Sequence, residues 1–273
     1  MGTPCNGARH TAIERTNLYL NGAQSRVIGH MIHLRRILFP LLLLACTPVL
    51  ADPGYYLVTA YDNAGQVNVD YRYWTVKAHR SAEVIWPEIG IGYGVNSRWY
   101  TQLLASGIGT DKFSTRLSSL NWQNDVLLTQ GQYDFDLAVH TLLIRNRGPM
   151  PGYVFEFGPI LQTDIGRVQL NGNLVFERGL GDGPPADTQL KYQWQVKYRW
   201  KSAIHIGLQG FGELGKWNDW APRSLQSHRA GPMISGTIAL GQEQAFKYEA
   251  AYLMGSVYGR DGNMFSMRLQ YVF

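Results

Sequence analysis

Leu190–Lys201 reads LKYQWQVKYRWK. Leu190, Tyr192, Trp194, Val196, Tyr198 and Trp200 share one face of an extended chain, and Lys191, Gln193, Gln195, Lys197, Arg199 and Lys201 share the other. Side chains of a strand alternate between two sides, so a period of two kept this long predicts a β-strand with one apolar and one polar face. Strands of about ten residues are long enough to cross a bilayer when tilted.

The same alternation recurs, less cleanly, along the chain. Strands are predicted at Gln66–Lys77, Val84–Val95, Trp99–Gly109, Thr115–Leu128, Tyr133–Leu143 and Tyr153–Thr163, then at Val168–Arg178, Thr188–Lys201, Ala203–Glu213, His228–Leu240, Gln244–Met254 and Asn263–Phe273. Their connections alternate in character. Asn96–Arg98, Thr129–Gln132, Asp164–Arg167, Ser202 and Gly241–Glu243 are tight. Gly148–Gly152, Gly179–Asp187, Leu214–Ser227 and Gly255–Gly262 are mostly longer. Short turns at one end and longer loops at the other are the pattern of a transmembrane, antiparallel, up-and-down β-barrel. The expected fold is therefore all-β, with about twelve strands over residues 66–273. A soluble sandwich or lipocalin-like barrel is the competing fold, and it would place the apolar face inside. Residues 52–273 are too many for one lipocalin, and the apolar faces are rich in Tyr, Trp and Phe, as in the aromatic girdles of membrane proteins.

Composition agrees. Charged residues make up 16% of the 273, against roughly 25% in an ordinary soluble domain. The net charge of +5 is concentrated at the start: five of the 25 basic and one of the 20 acidic residues precede Asp52. The remainder is nearly neutral, so charge gives no support to a nucleic-acid partner. Cys5 and Cys46 also precede Asp52, which leaves no cysteine for a disulfide or a thiolate metal site after it.

Met31–Ala51 has the layout of a secretory signal peptide: Arg35 and Arg36, an apolar run from Ile37 to Ala45, and Val49-Leu50-Ala51 as a small-residue cleavage site. The apolar run is about half the ~20 residues of a spanning helix. Residues 1–30 read as an over-extended start. Leu43-Leu44-Ala45-Cys46 resembles a lipobox, so lipid attachment at Cys46 is a rival processing route. Asp52–Gly65, DPGYYLVTAYDNAG, reads equally as a periplasmic lead, a lumen plug or an extra strand.

At the other end, Met264–Phe273 reads MFSMRLQYVF. Phe265, Met267, Leu269, Tyr271 and Phe273 lie on one face, and Ser266, Arg268 and Gln270 on the other. This resembles the terminal strand of the Gram-negative outer-membrane β-barrel superfamily. The resemblance covers the signal peptide, the strand and turn layout and this last strand, and it identifies no particular family. It implies an outer-membrane location, contact with outer-membrane lipid, and recognition of the Phe273 strand by the barrel-assembly machinery. Trimeric porins are usually larger, so a monomer is expected.

With the apolar face toward lipid, the polar face lines the lumen. Arg72, Glu88, Asp134, Asp136, His140, Lys191, Lys197, Arg199, Lys201 and Arg268 are the candidate pore-lining residues. Lys191, Lys197, Arg199 and Lys201 form a basic stripe, and Asp134 and Asp136 an acidic patch some strands away. Opposed charges across a hydrated bore steer polar or anionic solutes. The same charges paired across a narrow bore would instead hold its shape. Gly90, Gly92 and Gly94 share the inner face, where glycine permits sharp bending or close approach of a neighbouring element. No catalytic residue, cofactor or metal site is predicted. Asp134, Asp136 and His140 share a face, but a wall ion pair suits them better than a cation site.

Three functions fit. The first is a porin-like channel for small polar solutes, anions among them. The second is a closed structural or partner-binding barrel. The third is a lipid hydrolase: outer-membrane phospholipases and lipid A deacylases are barrels of this kind, but the His-x-Ser-Asn arrangement of the phospholipase is absent, and His79 and Ser81 have no evident orienting partner.

Overall fold

The computed structural model describes residues 55–60, 64–147, 151–181 and 186–273, all within the compact unit Pro53–Phe273. The expected over-extended start (1–30), the signal peptide (31–51), Cys46 and parts of Asp52–Gly65 and of two loops lie outside the described residues.

Twelve long strands form the wall. They are β1 (Val67–Ala78), β2 (Val84–Gly94), β3 (Trp99–Thr110), β4 (Arg116–Leu127), β5 (Phe135–Asn146), β6 (Gly152–Ile165), β7 (Val168–Leu180), β8 (Gln189–Lys201), β9 (Ile204–Lys216), β11 (Ser227–Ala239), β12 (Ala245–Val257) and β13 (Arg260–Val272). Two-residue β10 (Asp219–Trp220) folds back on β9, and a single 3-10 turn (Arg223–Leu225) follows it. Each wall strand pairs antiparallel with its sequence neighbour, and β13 pairs with β1 to close the cylinder. Closure leaves no open edge, so every wall strand has a hydrogen-bonding partner on both sides.

The alternation sets which face is which. Val196, Trp200 and Leu208 are 42%, 52% and 52% exposed on the outside, while Gln195 and Gln209 are each 1% exposed inside. Polar inside and apolar outside is the reverse of a soluble barrel, and it suits a hydrocarbon surrounding.

Two details depart from the expected layout. The connection expected over Gly255–Gly262 is a two-residue turn: Val257 pairs with Arg260, and Tyr258 and Gly259 both take positive φ, 46° and 72°. Two left-handed residues match the twist of the flanking strands, which lets β12 and β13 pair to their ends. Similarly, β9 runs on to Lys216, three residues past its expected end. On the inner face, Tyr100 of β3 folds over Gly92 so closely that a Cβ there would stand 2.2 Å from the Tyr100 oxygen. That glycine serves close approach of a side chain. Its occupant, Tyr100, donates to Asn68 Oδ1 at 3.0 Å.

Candidate functional site

The wall strands present their inward residues in levels, and the extended segment Tyr55–Ala60 runs through the bore between them. Tyr55 packs toward the end with the longer loops, and Ala64 reaches β2 at the end that holds the termini, bridging Gly94. The segment's main chain is bonded by wall side chains. Ser266 donates to the Tyr55 carbonyl at 2.6 Å and Gln193 to the Tyr56 carbonyl at 3.1 Å. Asn173 donates to the Val58 carbonyl at 2.7 Å, and Val58 N–H donates to Gln193 Oε1 at 3.2 Å. Buried backbone polar groups need partners, and here side-chain amides and a hydroxyl supply them.

Toward the long loops the bore is filled by apolar side chains. Tyr55 meets Trp74 edge-on at 4.9 Å, and Trp74 stacks on Trp86 at 4.3 Å. Phe211, Met233, Ala251, Leu253 and Met264 complete the cluster. Beside it, Arg229 pairs with Glu213 at 2.5 Å and lies 4.2 Å over the Tyr55 ring. The Tyr55 hydroxyl donates to the same carboxylate.

At mid-height an ion network joins three strands. Asp70 holds Arg72 at 3.0 Å and Arg268 at 2.6 Å. Arg72 reaches Glu88 at 3.8 Å, donates to Gln102 at 2.6 Å, and lies 3.6 Å over the Tyr56 ring. Ser106 donates to Glu88. Removing one partner from such a buried set leaves an uncompensated charge.

Toward the termini the bore opens into a vestibule of about 280 Å³. Lys197, His205, Lys247, Glu249, Arg268 and Gln270 face it from the wall, and Leu57, Thr59 and Ala60 face it from the segment. Gln195 donates to Glu249 at 3.2 Å.

The predicted residues separate into these levels. Arg72, Glu88 and Arg268 sit in the mid-height network. His140 is buried and bonded to Asp125 at 2.5 Å. It thus stands apart from Asp136, which is half-buried at the start of β5, and from Asp134, which is exposed in the preceding turn. The basic stripe is not continuous. Lys191 pairs with Glu177 at 2.6 Å and Glu156 at 3.4 Å. Lys197 faces the vestibule, and Arg199 pairs with Asp164 at 3.2 Å. Lys201 follows a register shift, is exposed at the turn, and lies 4.9 Å from the Trp200 ring. Two members of the stripe are therefore neutralised by acids on β6 and β7, a pairing the sequence of one strand does not contain. His79 and Ser81 are exposed in the β1–β2 turn.

Trp74, Trp86, Tyr56, Gln193, Glu213 and Arg229 were not singled out in the sequence. Trp74 shares its register with Asp70 and Arg72, so an aromatic on the polar side was the legible sign of an apolar level inside.

No family model matches the chain, and no curated protein matches it in sequence. Solved structures resemble it. The NanC porin is 12% identical with a TM-score of 0.51, covering 75% of this chain and 98% of its own. An outer membrane channel from Pseudomonas putida F1 is 10% identical with a TM-score of 0.53, covering 82% of this chain and 99% of its own. At such identities the likeness shows a shared barrel fold.

Proposed function

We propose that the chain forms an outer-membrane channel for small polar solutes, with a preference for anions, and that Tyr55–Ala60 stands in the bore as its closure. The observation that carries this reading is how the segment is held. Its main chain is bonded by Gln193, Asn173 and Ser266 rather than by strand pairing, and it does not form part of the wall. No strand pairing locks the segment into the wall; side-chain hydrogen bonds, each contributing about 1 kcal/mol net, and the packing of Tyr55 on Trp74 and of Tyr56 under Arg72 hold it in place. Lys197 and Lys247 outnumber Glu249 around the vestibule, where the third cation, Arg268, is held by Asp70, and this supports the anion preference. The porin and the channel named among the structural relatives are in keeping with it. Phe273 bonds Val67 in both main-chain directions, and its strand is our proposed signal for the barrel-assembly machinery.

The test is conductance in planar bilayers, comparing protein freed of residues 1–51 with a form that also lacks residues 52–65. The shortened form should give stepwise currents well above those of the longer one. If neither conducts, the channel reading fails. A closed, partner-binding barrel would then stand in its place, which the fully buried Arg72 and Asp70 also favour.

A further inference from the structure

The outer wall carries a concavity separate from the bore. Outward residues Val69, Ile89, Ile91, Leu103, Leu120 and Trp122 border a groove of about 640 Å³ on β1 to β4. Its floor is low because Ala105 of β3 lies between Ile89 of β2 and Leu120 of β4 in register. A methyl flanked by two branched side chains leaves a trough along the outer surface. Nearly all of its lining is apolar, so its natural filler is hydrocarbon.

One charge stands at its edge. Arg145 lines the groove one residue from the long-loop end of β5, opposite Leu120 on one side and Tyr153 on the other. It is exposed, and no ion pair holds it among the described residues. Arg178 stands on the same outward face of β7, opposite Phe155 of β6. A guanidinium near the middle of hydrocarbon costs several kcal/mol, but near an interface the cost falls to about 0–1 kcal/mol. There its planar fork can bind a phosphate through two parallel hydrogen bonds.

We propose that this groove binds a phosphate-bearing lipid of the outer leaflet, with one acyl chain along Ala105 and the phosphate on Arg145. The proposal rests on reading the chain as an outer-membrane barrel with its longer loops outside. An apolar trough alone selects no headgroup; a cation at its rim does.

The test is native mass spectrometry of the detergent-folded protein, titrated with dimyristoyl phosphatidic acid or with dimyristoylglycerol, which has the same chains and no phosphate. Phosphatidic acid should bind more tightly by about tenfold, the worth of one good charged contact. Arg145→Gln should abolish that difference while leaving dimyristoylglycerol binding unchanged. Ala105→Leu should weaken both by filling the floor. Equal binding of the two lipids to the unaltered protein would overturn the proposal, as would full retention of phosphatidic acid by both variants. Gel mobility with and without boiling separates the two levels of failure. A protein that shows no heat-dependent shift undoes the barrel reading, whereas a shifting protein that ignores the phosphate undoes this inference alone.

Discussion

Toward the long loops the bore is closed by carbon: Tyr55, Trp74, Trp86, Phe211, Leu253 and Met264 pack against one another. Toward the termini the same strands leave about 280 Å³ faced by Lys197, Lys247, Arg268, His205 and Glu249. Strand β13 supplies both levels, Met264 to the first and Gln270 to the second. Six residues of strand separate those two positions by about 20 Å. On the proposed channel reading, closing the bore and choosing what enters it fall to different heights of one wall. Substitutions at one height should leave the property of the other height nearly intact.

The sharpest way to break this division is Glu213→Ala. It strips Arg229, which is 2% exposed, of its carboxylate and also removes the acceptor of the Tyr55 hydroxyl. Unpairing a buried charge costs about 3–5 kcal/mol, so urea unfolding followed by gel mobility should show a loss of that order. A loss below about 1 kcal/mol would mean that the carbon level does not depend on its ion pair. Trp74→Ala comes next, at about 3 kcal/mol by the same assay, since it empties the centre of the aromatic stack. It should also raise the mean bilayer current; an unchanged current would relocate the closure. Lys197→Glu probes the lower level. It should move the reversal potential toward cations in a salt gradient while the urea unfolding free energy changes by no more than about 1 kcal/mol. A shifted midpoint with unchanged selectivity would reverse the assignment of the two levels. Arg199→Gln should do least. Its pair with Asp164 is 37% and 42% exposed, and such pairs contribute about 0–1 kcal/mol. Its measurement is the same salt-gradient potential, and a shift as large as that of Lys197→Glu would extend the selective level down to the rim.

The wall was legible because its signal is local. A period of two inside each strand located all twelve, with β2 beginning at Val84 and β8 ending at Lys201 as expected. The turn at Tyr258-Gly259 was hidden because a tyrosine with positive φ gives no warning in sequence. The lumen was legible only by face. Arg268 read as inward, but its partner Asp70 lies 198 residues away, across the seam between the first and last strands. The fourfold basic stripe misled for a related reason: Lys191 and Arg199 are neutralised by Glu177 and Asp164, residues outside their own strand. Tyr55–Ala60 lacks a long alternating run, and what fixes it are amides on distant strands.

Gln193, Asn173 and Ser266 grip the peptide groups of the inserted segment, not its side chains. Every amino acid but proline offers the same N–H and C=O, so this part of the hold does not read letters. Leu57 and Thr59 are therefore free to drift in evolution as far as their main-chain moorings are concerned. What descent must preserve instead is the spacing of carbonyls along the strand of peptide, and an insertion or deletion of one residue would unfasten what many exchanges of identity leave tied.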